Sequence, residues 1–149
     1  MEKSFRTVGG FLDGTEREED NYFKYSATLR IFGDIPNLEK ISAALQLEPT
    51  DSHRKGEKRN SRTVGFAHDM WSYSPAIDES EPLHKHIDAL WRKLKPHKNH
   101  LLELKKTVKV DVFLGYRSNC DTAGFEVPHT ALEMFSELKI PFGVSIIIT

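Results

Sequence analysis

At 149 residues, with 38% apolar and 29% charged side chains, the chain is long enough to bury one real core and too apolar for a disordered polymer. A formal net charge of −1 excludes a global field that would draw the whole molecule to nucleic acid or an anionic membrane, so any basic partner surface must be local. Cys120 is the only cysteine, which excludes an intrachain disulfide.

The opening MEKSFRTVGG lacks the apolar core of a secretory signal, and the longest apolar runs fall far short of the ~20 residues a spanning helix needs, so the expected compartment is the cytoplasm with no membrane partner. Residues 1–24, with Gly9, Gly10, Gly14 and an acidic run at 16–20 broken by Arg17, read as an N-terminal appendage. Residues 4–8 offer one short edge strand there.

From Tyr25 onward the chain reads as one domain, 25–149. Ala27, Leu29 and Ile31 alternate with polar neighbours, the period of a strand with one buried face. Leu38, Ile41 and Leu45 recur at three- and four-residue spacing and predict a helix over 36–47, stopped before Pro49. Residues 50–62 have no period and predict a basic, solvated loop. A strand follows at 69–74 with Trp71 and Tyr73 on one face, and a shorter one is predicted at 63–66.

Leu83, Ile87, Leu90, Trp91 and Leu94 carry the clearest helical periodicity, interrupted at Pro96 and resumed over 97–106. Val108, Val110, Val112, Leu114 and Tyr116 predict a long strand at the sheet's centre, paired as a hairpin with a returning strand at 125–127. Thr130 and Glu133 match a capping box for a short helix to about Leu138, and Val144, Ile146 and Ile148 predict a last strand inside the sheet. The expected architecture is α+β: a two-layer sandwich with a twisted mixed or antiparallel sheet of about five strands, helices mainly on one face, ferredoxin-like in flavour.

LQLEPTDSHRKGE, starting at Leu45, together with Trp71, Phe125 and the closing LKIPFGVSII, resembles a small bacterial family, the domain of unknown function numbered 4279. Its matching residues include Leu47, Glu48, Pro49, Thr50, Lys55, Gly56, Leu138 and Ile146. The resemblance implies a single α+β domain over roughly residues 25–149 and transfers no catalytic residue.

One local charge anomaly stands out. His53, Arg54, Lys55, Lys58, Arg59 and Arg62 are opposed between 53 and 62 by Glu57 alone. Guanidinium forks and ammonium groups beside Gly56 suit phosphate, carboxylate or a nucleic-acid backbone, with Trp71 and Tyr73 as stacking surfaces. Against this stands the plainer reading of a solvated loop and a core tryptophan.

Metal chemistry finds no pattern: His84 and His86 lie on opposite sides of a helix, His97 and His100 have only Glu103 beside them, and neither HExxH nor paired CxxC occurs. No nucleophile elbow, phosphate loop or dinucleotide fingerprint is present, so neither a catalytic set nor a cofactor is predicted. Cys120, beside Asp121, reads as a spectator. The pairs His68/Asp69 and His84/Asp88 read as acid/base partners or as surface ion pairs.

Two functions follow. The first is a non-enzymatic binding or interaction module using the 50–62 loop, with Arg54, Lys55, Lys58, Arg59, Trp71 and Arg117 as ligand residues and a small anion or a protein as partner. The second is a small enzyme acting on an anionic metabolite, anchored by Arg54, Lys55 and Arg117 with His68 as base. Homodimerisation through a strand edge is compatible with both.

Overall fold

The computed structural model describes residues 20–59, 64–122 and 124–149. Period-two alternation sets the frame: in β1 (Phe23–Gly33), Tyr25, Ala27, Leu29 and Ile31 are buried on one face, while Lys24, Ser26, Thr28, Arg30 and Phe32 line the other. β1 is central. It pairs antiparallel with β3 (Asp69–Tyr73) on one side and with β4 (Lys109–Ser118) on the other, the latter ladder running from Phe23 opposite Ser118 to Phe32 opposite Lys109. β2 (Asp51–His53) extends the sheet beyond β3, and β5 (Phe142–Ile148) lies parallel to β4, giving the order β2-β3-β1-β4-β5.

The helices cover one face. Asn37 caps α1 (Leu38–Leu45) by accepting the Glu39 N–H at 3.0 Å, and Gln46 ends it in the left-handed region (φ 55°). In α2 (Leu83–Leu94), Leu83, Ile87, Leu90 and Leu94 are fully buried. Pro96 breaks the ladder as predicted, and a 3₁₀ turn (Lys95–His97) leads into α3 (Lys98–Leu104). A second 3₁₀ turn (His129–Leu132) precedes α4 (Glu133–Leu138). The first four strands with α1 and α2 form β-α-β-β-α-β in the order β2-β3-β1-β4, a split βαβ sandwich, to which α4 and β5 add a parallel edge strand.

Six expectations need correction, the last of them the strand at 63–66. β1, not β4, holds the centre. Residues 125–127 form no strand, because both sides of β4 are taken by β1 and β5; Phe125 instead packs its ring on Tyr116 at 5.4 Å. The capping box is not made: the chain enters α4 through a turn in which Ala131 donates to Pro128 O, and the Glu133 carboxylate accepts from Trp91 Nε1 at 2.8 Å. β2 lies within the stretch read as loop, too short at three residues to show a period. The last strand sits at the sheet's edge.

Residues 4–8, most of the appendage and Thr63 lie outside the described residues, and residues 64–66 are not in a strand. The chain there returns along the loop, with Gly56 donating to Phe66 O (2.8 Å) and Phe66 to Glu57 O (3.0 Å). Gly65 is required at this crossing, because a Cβ would overlap the Gly56 backbone.

Candidate functional site

The basic loop is built around Asp69, the first residue of β3. Its carboxylate accepts the Lys55 N–H at 2.7 Å and the Ile35 N–H at 2.9 Å, with Arg54 at 3.7 Å, and these donors hold its pKa below the usual carboxylate range. Arg54 donates to the carbonyls of Ile35 and Pro36. Arg59 donates to Asp51 Oδ1 (2.7 Å), to Glu57 Oε2 (2.6 Å) and to Ser52 O. His53 stacks on Phe66 at 3.5 Å, and burial lowers its pKa.

Arg54 and Arg59 therefore bind their own chain. Trp71 has no exposed surface and donates to Ser42 Oγ at 2.9 Å, so it belongs to the core. Lys55 and Lys58 remain exposed on the outside, and Arg62 lies outside the described residues.

Arg117 is elsewhere. It faces Lys24 across the β1–β4 ladder, nine residues along β1 from Gly33, or roughly 30 Å from the Arg54 end at ~3.3 Å per residue. The grouping of Arg54, Lys55, Arg117 and His68 into one catalytic site is thus not assembled. His68 is exposed in the bend before β3 with its ring 6.3 Å from Phe32, while Asp69, two residues before Trp71 and on the same face of β3, is turned inward.

Around Arg117 the open face of the sheet carries a distinctive pattern. At one end of the β1–β4 ladder, Arg30 faces Asp111 in a bidentate pair (2.8 and 2.7 Å), and its guanidinium lies over the rings of Phe113 (4.5 Å) and Phe32 (5.3 Å). Hydrogen bonding to Asp111 raises the Arg30 pKa. At the other end two cations, Lys24 and Arg117, face each other.

Between these ends runs the row Ser26–Gly115–Ser145 across β1, β4 and β5. Gly115 keeps this floor low, since a Cβ there would overlap the Ser26 hydroxyl. The result is an open hollow of about 330 Å³, walled by Phe113 and Ile147 and rimmed by Lys24, Arg117 and Glu79. Lys24 reaches Glu79 at 3.1 Å, whereas Arg117 makes no ion pair among the described residues.

Sequence reasoning singled out Arg117 but missed Lys24, Ser26, Gly115 and Ser145. The signal was present: Lys24 and Ser26 flank buried Tyr25 as Gly115 and Arg117 flank buried Tyr116. Only the register that sets Tyr25 opposite Tyr116 joins the two triplets.

Two other depressions, of about 390 and 450 Å³, lie near the opposite end of the sheet. The larger is mainly apolar, lined by Ile35, Pro36, Ile41, Leu104 and Val108. The smaller has Lys105 at its edge, whose ammonium is held by the carbonyls of Leu138 and Lys139. Among the described residues no group of three or more His, Cys, Asp or Glu is placed to hold a metal ion, and no helix is long and apolar enough to cross a membrane.

Fold and site define an α+β module with a helix-covered face and an open face bearing a cation-rimmed hollow. The chain belongs to the family described as Domain of unknown function (DUF4279), whose model matches residues 23–149. No curated protein and no solved structure matches it.

Proposed function

We propose that this protein is a binding module for a small phosphate- or carboxylate-bearing molecule, held on the open face of the sheet by Lys24 and Arg117. The observation that carries this reading is the contrast along one ladder. Arg30 faces an acid, yet Arg117 faces a second cation. Like charges directly opposite on a sheet are destabilising; Glu79 offsets Lys24, and an anion lodged beside Arg117 relieves what remains. Ser26 and Ser145 offer hydroxyl donors to the same anion, while Phe113 and Ile147 supply an apolar wall for the rest of the molecule. The volume lies at the lower end for small-molecule sites.

Calorimetric titration at low salt with inorganic phosphate, a nucleoside monophosphate and a small dicarboxylate tests the reading. Losing a charge-assisted hydrogen bond of ~1.5–3 kcal/mol is expected to weaken binding about tenfold or more in Arg117→Ala. Arg117→Glu weakens it further, and added salt weakens it in the parent protein. Arg117 is exposed, so neither variant should disturb folding. Affinities unmoved by Arg117→Glu, or no binding across the panel, would sink the proposal.

The loop braced by Asp69 favours a second reading, an acidic protein partner met by the outward Lys55 and Lys58. Charge reversal at both positions, with pull-down of acidic model peptides, separates it from the first. Cytoplasmic residence accords with either reading, supported by a lone, buried thiol at Cys120.

A further inference from the structure

Among the described residues β5 is an open edge of the sheet, and it lacks what such an edge ordinarily carries. Charges, prolines or bulges blunt exposed strands against pairing, but Phe142–Ile148 reads FGVSIII and contains no charged residue and no proline. Phe142, Val144, Ile146, Ile147 and Ile148 are 41–61% exposed.

The backbone of β5 is half used. Val112 donates to Pro141 O and Thr149 donates to Ser118 O. Odd-numbered residues therefore turn their N–H and C=O toward β4, and Phe142, Val144, Ile146 and Ile148 turn theirs outward. The helix layer stops short of the same residues. Phe142 leans on Phe135 of α4 at 4.9 Å, but Val144, Ile146 and Ile148 extend beyond it on that face.

We infer that β5 pairs antiparallel with β5 of a second copy about a two-fold axis at Ser145, doubling the five-stranded sheet. That register engages the whole strand and makes roughly eight ladder hydrogen bonds. Phe142 meets the partner's Ile148 and Val144 meets the partner's Ile146, apolar against apolar. On the open face Gly143 leaves room opposite the partner's Ile147, and Ser145 faces its own mate. An uncharged strand satisfies the two-fold requirement of being its own complement without like-charge repulsion. A second copy is thus the occupant that matches the edge in length, bulk and charge.

The pairing also bears on the hollow, and in this respect it rests on the proposed anion binding there. Ser145 and Ile147 wall that hollow on its β5 side, so the second copy extends the wall and sets two hollows side by side across the seam.

Sedimentation equilibrium of the full chain across the micromolar range should give a dimer. Ile146→Lys, at a position 61% exposed, should give a monomer with unchanged circular dichroism. Oxidised Ser145→Cys should form a covalent dimer, since facing residues at the axis lie within disulfide reach. Ile147→Cys should not, its mate being roughly 13 Å away along the partner strand. A monomeric parent protein, or Ile147→Cys cross-linking as readily as Ser145→Cys, overturns the inference. If that monomer still binds phosphate through Arg117, this inference alone has failed; if the dimer forms and binds no anion, the inference stands and the ligand reading alone has failed.

Discussion

The Asp69 carboxylate ties to the start of β3 two segments that have just left their ladders, the turn after β1 through Ile35 and the basic loop after β2 through Lys55. Removing its charge leaves two main-chain donors with a weaker acceptor, one of whose atoms becomes a competing donor. Asp69→Asn is expected to cost about 1–3 kcal/mol at neutral pH, measured by urea unfolding. The folded-state pKa is lowered, so this stabilisation is complete above the unfolded carboxylate value of about 3.9 and lost as pH falls through the folded value. The gap between parent and variant should therefore close on acidification, and a gap that persists at about pH 2 contradicts the assignment. In the linear chain Asp69 looked like a partner for His68. Its contacts lie at separations of 14 and 34 residues, where sequence period carries no signal.

At the scale of elements, α2 was the most legible, because its apolar stripe is both its local pattern and its packing face against β1. Leu90→Ala should cost about 2–5 kcal/mol, seen as a lower urea midpoint at unchanged slope. The start of α4 is the opposite case. Thr130 and Glu133 have the spacing of a capping box, but Glu133 is drawn to Trp91 on α2 and Pro128 initiates a 3₁₀ turn instead. Thr130→Ala is accordingly expected to change stability by less than about 0.5 kcal/mol in the same assay, where a true cap would cost ~1 kcal/mol. Residues 125–127 misled for a related reason: Phe125 and Val127 alternate as a strand does, and their partial burial against the core satisfies the same pattern.

For the whole molecule, acid stability adds up from separate sites. His53 at the end of β2 and His86 on α2 are both buried, and burial is the largest cause of their lowered pKa values; His86 Nε2 lies 3.1 Å from Glu81 O. Because the folded pKa of each lies below the unfolded value of about 6.5, the unfolded chain takes up protons first as pH falls. Global stability should thus be full above about pH 6.5 and decline below it, well before the carboxylates titrate. Urea midpoints that stay level from about pH 7 to pH 5 would contradict this. Combining His53→Phe with His86→Gln should flatten the decline.

The sequence by itself determined the α+β class, a strand from Tyr25 ending at Gly33, strands at 69–74 and 108–116 that lie within two residues of β3 and β4, and the helices broken at Pro96, because those elements bury a face whose period is written locally. It also marked the loop at 53–62 as basic. Only the tertiary structure decided what that charge does. Arg54 and Arg59 find acceptors on neighbouring turns and acids, whereas Arg117 comes to rest opposite Lys24. Strand register sets which residues 93 positions apart become neighbours. Hydrophobic periodicity specifies which face is buried, and it leaves the pairing on the exposed face to the assembled sheet.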